Sequence, residues 1–231
     1  MTLPLLSSSL ERTVEPELMD DVEQVRAYAD ADFAAPHDAF VDAFVAFAGG
    51  GADSVAGVAL DIGCGPADVV MRLARRCERL VIDGVDGAEA MLAIGRQRVR
   101  EAGLSNRVRL YRAWLPQEPL PRNVVDIVTS NSILHHLHEP AVLWRAVRQV
   151  SRRGTRIFVG DLMRPTSAAT VDRFVEFYAK GEPEVLKRDF AASLHAAFTV
   201  DEVRAQLQLA GLSMLTVKAT SDRHLLISGT L

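Results

Sequence analysis

Cysteine is scarce in this chain: Cys64 and Cys77 are the only two among 231 residues. Two thiols cannot build the disulfide framework of a small secreted scaffold, so a reducing, cytoplasmic setting is expected. The first ten residues include a short apolar stretch, with no basic segment ahead of it and no small-residue cleavage pattern behind it. That argues against a secretory leader. No window approaches the roughly 18 apolar residues that a membrane helix needs. Blocks of Lys or Arg are missing too, and 26 basic residues face 30 acidic ones for a net charge of −4. A basic track along a nucleic-acid backbone is therefore not expected. There is no repeat and no low-complexity tract. What remains is 48% hydrophobic and 24% charged residues, enough for one medium domain with a real core. Small-molecule chemistry is the default expectation.

The apolar pattern changes twice along the chain. Residues 16–33 read as a helix with Leu18, Val22 and Val25 on one face, and a second helix begins at Pro36 with Phe40, Phe44 and Phe47 aligned. Gly49-Gly50-Gly51 ends it, because three glycines hold a helix poorly. Short apolar runs then alternate with helices. Strands are predicted at 55–60, 80–85, 107–112, 124–130 and 155–159, with helices at 69–77, 88–102 and 140–150. This βαβ rhythm predicts an α/β fold, a parallel sheet with helices on both faces. Residues 1–51 are expected to form a helical lid over a domain spanning 52–231. A helical insert is expected at about 165–198. Thr199-Val200-Asp201-Glu202 has the form of a capping box opening a last helix, and strands at 214–219 and 224–228 are close enough to pair as a hairpin.

The first strand runs into Leu60-Asp61-Ile62-Gly63-Cys64-Gly65-Pro66-Ala67-Asp68. A strand, a glycine-rich turn and a helix start together suit a nucleotide-like ligand, since the backbone can approach it and the helix end favours a polar group. The second strand ends at Asp86, where a carboxylate can accept ribose hydroxyls. A dinucleotide site shares that acid, but its fingerprint wants glycine where this chain has Asp68, and an acid there repels a pyrophosphate. A sulfonium cofactor with an amino-acid tail has no phosphate to repel.

Ala59-Leu60-Asp61-Ile62-Gly63-Cys64-Gly65, then Gly84-Val85-Asp86-Gly87 with Met91-Leu92, then the segment 125–137 ending in Leu134-His135-His136-Leu137, together resemble class I S-adenosylmethionine-dependent methyltransferases of the small-molecule type. Arg152-Arg153-Gly154 matches the family's turn before strand five. The resemblance implies a Rossmann-like, seven-stranded, mostly parallel sheet with an antiparallel last strand. It implies S-adenosylmethionine as cofactor and S-adenosylhomocysteine as product. Gly63, Cys64 and Gly65 would line the methionine moiety, Asp86 and Gly87 would hold the ribose, and Asp61 would lie near the amino group. Met91, Ala113, Trp114, Asn131 and Tyr28 complete the expected cofactor contacts. Ala67 replaces a family glycine, a tolerable change if that residue keeps negative φ. Many relatives have an acid after strand three to receive the adenine amino group. This chain reads Tyr111-Arg112-Ala113-Trp114-Leu115-Pro116, so backbone groups and the Trp114 face are expected instead.

Methyl transfer needs alignment of acceptor and methyl group more than it needs a catalytic dyad. His135, His136 and Asp161 are the candidates for chemistry. The competing reading of the histidines is that they cap the fold, since the same phrase occurs in relatives with different acceptors. A metal is not expected, because no second acid lies near Asp161 in sequence. Glu15-Pro16-Glu17-Leu18-Met19-Asp20, Tyr28, the segment 193–197 and the segment 220–224 resemble a narrower bacterial group. A lid there would let Tyr28, His37 and His195 reach the site from above, with packing on the helix surface the favoured alternative for Tyr28 and His37, and Asp222-Arg223 is expected to form an ion pair pinning the hairpin. The expected partner is a small-molecule acceptor at O, N or C, with a homodimer left open. Two alternatives remain at this stage: a methyltransferase of a macromolecule, and a protein that binds S-adenosylmethionine without transferring methyl.

Overall fold

The computed structural model describes residues 10–16, 18 and 21–231. Residues 10–16 run as an extended strap rather than a helix. The first helix, α1 (Val22–Asp30), starts only after Asp21, whose side chain accepts the Gln24 N–H and caps it. Part of the predicted stretch, Glu17, Met19, Asp20 and the Val22 side chain, lies outside the described residues. Helix α2 (Ala34–Ala48) begins two residues earlier than Pro36 and ends at Gly49. Its Phe40, Phe44 and Phe47 all pack their rings on Phe158, at 5.1–5.5 Å between centroids.

The alternating region folds as β1 (Ala56–Ile62), α3 (Asp68–Arg76), β2 (Arg79–Asp86), α4 (Glu89–Glu101), β3 (Val108–Arg112), β4 (Ile127–Asn131), α5 (Ala141–Val150) and β5 (Arg156–Leu162). Helices α6 (Ala168–Tyr178) and α7 (Glu184–Ala196) form the insert, followed by α8 (Val200–Leu209), β6 (Thr216–Ala219) and β7 (His224–Thr230). The capping box is present in full. One seven-stranded sheet results, in the order β3-β2-β1-β4-β5-β7-β6. Strand β7 runs antiparallel to both β5 and β6, and the other pairings are parallel. Buried side chains of α2, α3 and α4 fill one face and those of α5 and α8 the other. Ala59 and Leu60 of β1 and Ile157, Phe158 and Val159 of β5 are fully buried, which explains why these strands carry apolar runs.

Strand order reverses at β1, which pairs with β2 on one side and β4 on the other. Crossovers therefore leave in opposite directions from this point, and a crevice opens beyond the carboxyl ends of the strands.

Candidate active site

A cleft of about 1080 Å³ lies over those strand ends. All fourteen residues named above as cofactor or catalytic candidates line it, as does His37; His195 does not. The backbone carbonyl of His195 instead accepts the Thr13 N–H, so this residue serves to hold the strap.

The turn after β1 is locked to the end of β2. The N–H groups of Gly63 and Cys64 donate to the Val85 carbonyl at 2.8 and 3.0 Å. Gly65 N–H donates to Asp86 Oδ2, and Ala88 N–H to Asp86 Oδ1, each at 2.8 Å. Gly63 has φ +78°, and a Cβ there would collide with Ile133. Burial raises the Asp86 carboxyl above its ordinary range against the pull of its N–H donors. Asp61, 2% exposed, accepts the Thr129 hydroxyl at 2.6 Å. Burial pushes its pKa up to about 6, opposed by that hydrogen bond. Cys64 is buried, and burial beside Asp86 and Asp61 drives its thiol well upward, which keeps it protonated and unreactive.

Two expectations about this turn are revised. Ala67 adopts φ +67°, not a negative angle, because the chain must reverse sharply to enter α3. Asp68 is not a bare charge: its Oδ2 meets His37 Nδ1 at 2.5 Å and Arg72 Nε at 2.7 Å. Burial opposes ionisation of Asp68, but these two partners bring its pKa down to about 2.

Toward β3, Ala113 is buried and its N–H donates to the Asp86 carbonyl at 3.0 Å, while Trp114 stands 39% exposed on the rim. An acid does fold back here: Glu118 accepts the Trp114 N–H and the Arg112 guanidinium, each at 2.8 Å. Its only signal in the sequence is an acid four residues past Trp114. Glu118 does not line the cleft, so no acid faces an adenine from this side. Leu18 sits against Gly87, where a Cβ would overlap it, and Met91 packs with Val25 and Tyr28. Burial, with Asp86 and Asp68 nearby, pushes the Tyr28 hydroxyl up to about 12.

At the β4–β5 end, Asn131 closes β4 and Ser132 takes the left-handed φ of +58°, a strain that non-glycine residues accept mainly at functional sites. A 3-10 turn, Leu134–His136, follows. Asp161 is 4% exposed and organises it: Oδ2 accepts the Leu134 N–H at 2.7 Å, and Oδ1 meets His135 Nδ1 at 2.5 Å. Burial works against a charged His135, but Asp161 and then Glu15 outweigh it and raise its pKa. His136 is lowered well below its ordinary value by burial and by His135. Sequence reasoning gave the strap no chemistry, yet Arg12 bonds the carbonyls of His135 (2.9 Å), Leu137 (3.0 Å) and Ala196 (2.6 Å), and its guanidinium lies 4.0 Å above Phe198. Glu15 reaches both histidines. The hairpin ion pair is present, Arg223 to Asp222 at 3.0 Å, and Tyr178 of the insert joins it through its hydroxyl at 2.6 Å and its ring face.

A family model described as a methyltransferase domain matches residues 59–154. Those residues hold the glycine turn, Asp86, Trp114, Asn131 and both histidines. The chain is 28% identical over 156 residues to the 27-O-demethylrifamycin SV methyltransferase of Amycolatopsis mediterranei (strain S699), covering 66% of this chain and 53% of that protein. It is 32% identical over 109 residues to the ubiquinone biosynthesis O-methyltransferase of Pseudomonas aeruginosa (strain UCBPP-PA14), covering 47% and 46%. The chain thus spans about half the length of these relatives. A SAM-dependent methyltransferase from Aquifex aeolicus superposes with a TM-score of 0.64 at 18% identity, over 90% of this chain and 97% of that one. The fold is therefore that of S-adenosylmethionine-dependent methyltransferases. Much of the cleft wall comes from outside the matched residues: Tyr28 and His37 from before them, Asp161, Tyr178 and Arg223 from after them. Among the described residues no helix is long and apolar enough to cross a membrane.

Proposed function

We propose that this protein transfers the methyl group of S-adenosylmethionine to a small-molecule acceptor, chiefly by holding the two in line. One observation carries the reading: the Gly63–Gly65 turn, Asp61 and Asp86 converge at the strand-order reversal, in a cleft that continues past them to Tyr178 and Arg223. At about 1080 Å³ the cleft exceeds the roughly 300–1,000 Å³ typical of one drug-sized ligand. It has room for cofactor and acceptor together. The bound cofactor supplies an electrophilic methyl group on a sulfonium. Asp86 holds the ribose, Asp61 faces the amino group, Gly63, Cys64 and Gly65 allow close backbone approach, and the rim residue Trp114 packs on the base. Ala113, Met91, Gly87, Tyr28 and Asn131 shape the remaining wall.

The acceptor side is bounded by residues outside the matched domain. Helices α1 and α2 and the insert α6–α7 act as a cover, since Tyr28, His37, Tyr178 and Phe190 reach the cleft from them and Leu18 from the segment ahead of α1. Asp161 is a positioning residue, because its oxygens are engaged by Leu134, His135 and Leu162. The reach of the cleft beyond the cofactor residues favours transfer over mere binding.

Calorimetry tests the cofactor assignment. Asp86→Ala is expected to weaken S-adenosylmethionine binding by about 1–3 kcal/mol, the scale of lost charge-assisted hydrogen bonds. Unchanged affinity would remove the ribose assignment. Labelled methyl transfer to a panel of small hydroxyl- and amine-bearing acceptors then tests the reaction itself.

A further inference from the structure

The strap delivers an acid to the two histidines that follow β4, and neither the methyl-transfer reading nor the domain match uses it. Glu15 Oε1 lies 3.6 Å from His135 Nε2 and 3.2 Å from His136 Nδ1. One atom from each of the three residues falls within 4.8 Å of the others. The Glu15 side chain is 9% exposed and that of His135 2%.

The tautomers follow from the partners. His135 Nδ1 faces the Asp161 carboxylate, so that nitrogen carries the proton and a neutral ring turns its Nε2 lone pair toward Glu15. His136 is hydrogen-bonded to the backbone of Pro16, which has no N–H, so the ring donates to the carbonyl. Its Nδ1 is buried and makes no hydrogen bond, and it too faces Glu15. When His135 is neutral, Glu15 Oε1 thus lies within 3.6 Å of two imidazole nitrogens that carry no proton, and the two rings stand 4.2 Å apart between centroids. Such an arrangement is costly unless a cation, or a proton on one ring, sits there.

We infer that Glu15, His135 and His136 form a site for a first-row divalent metal of the zinc type. Nitrogen and carboxylate donors at about 2.0–2.2 Å in a tetrahedral shell stand roughly 3.3 Å apart, close to the two separations from Glu15. Two histidines and one carboxylate leave a coordination position open. The surroundings also match a metal centre, in which each ligating histidine gives its second nitrogen to a carboxylate or a carbonyl. Asp161 plays that part for His135 and Pro16 for His136. Ser193 Oγ steadies Glu15, at 3.1 and 3.3 Å from its two oxygens. Both histidines line the cleft, so the metal belongs to the wall at the β4–β5 end and pins the strap to the 3-10 turn. The competing occupant is a proton on His135 Nε2, shared with Glu15.

The test needs neither cofactor nor acceptor, so its failure is separate from failure of the methyl-transfer reading. Untagged protein is stripped with chelator and titrated with Zn²⁺ by calorimetry, and with Co²⁺ followed by its visible d–d absorption. Binding of one equivalent of Zn²⁺ is expected, with an intense tetrahedral-type Co²⁺ spectrum and a rise in Tm that grows with metal concentration. Glu15→Gln and His136→Gln should each abolish the spectrum, and Asp161→Asn should weaken affinity by about 10–100-fold. Circular dichroism identifies any variant that fails to fold, and the wild-type titration decides the matter without it. Failure of wild-type protein to bind either metal would overturn the site in favour of the shared proton. So would binding that survives both ligand substitutions.

Discussion

The two ends of the cleft are built in different ways. At the β1–β2 end, neighbouring segments of the sheet hold one another: Gly65 binds Asp86 across 21 residues of sequence, and Ala88 binds it across two. At the β4–β5 end, partners come from opposite ends of the chain. Arg12 reaches His135 across 123 residues, and Ser193 reaches Glu15 across 178. The first end is a local motif that a parallel sheet orients by itself. The second exists only once the strap and the insert have docked. Substitutions should therefore separate by end, with strap changes acting on docking and turn changes acting on the ligand.

The largest effect is expected from Arg12→Ala. It leaves three carbonyls on two segments without their charged donor and removes the guanidinium from Phe198. Loss of charge-assisted bonds of this kind, together with a cation–π contact, should lower stability by roughly 2–4 kcal/mol. Denaturant melts measure it, and hydrogen exchange should rise first in residues 10–16 and in the turn at 134–136. S-adenosylmethionine affinity should fall by less than about tenfold, or 1.4 kcal/mol. A collapse of cofactor binding with little loss of stability would break the separation between the ends.

At the other end, proton linkage gives a sharper test. Burial raises the Asp61 pKa to about 6 in the free protein. A bound ammonium group favours the ionised form, so binding below that pH must release a proton. Affinity for S-adenosylmethionine should then increase with pH by up to about tenfold per unit below pH 6 and level off above it, since one pKa unit is about 1.4 kcal/mol. Calorimetry in buffers of different ionisation heat detects the proton. Asp61→Asn should weaken binding and flatten the slope; a slope that persists assigns the proton to Asp86 instead.

The same division explains what the sequence could disclose. Strand positions, the Gly63–Gly65 turn, Asp86 and the capping box at Thr199 are local patterns whose period or spacing carries the information. Glu15 and Arg12 were readable as residues but not as partners, because nothing at residue 15 indicates that His135 will lie beside it. His195 shows the converse. Its residue type suggested a role in the site, while its backbone carbonyl is what the strap uses. Glu118 is legible only as an acid past Pro116, because nothing local indicates that it folds back onto Trp114 and Arg112. Ala67 was misread for a different reason: residue type argued for negative φ, and the geometry of leaving β1 for α3 prevailed.

Ala67 offers the smallest effect and the most direct check on that last point. Its left-handed backbone costs a residue with a Cβ about 1–2 kcal/mol, so Ala67→Gly should recover that amount. The methyl group, however, is fully buried in the core between α3 and Gly95, and removing it forfeits about 0.8 kcal/mol of burial. Glycine also loosens the unfolded chain by roughly 0.4–1 kcal/mol. The contributions nearly cancel, so Ala67→Gly should change stability by less than about 1 kcal/mol in either direction. Cofactor affinity should hardly move, because the Gly63, Cys64 and Gly65 N–H groups stay anchored on Val85 and Asp86. A gain well above that range would mean that strain dominates in the turn. A loss of more than about 2 kcal/mol would mean that the buried methyl holds α3 against the sheet, so that the turn depends on packing as well as on its hydrogen bonds.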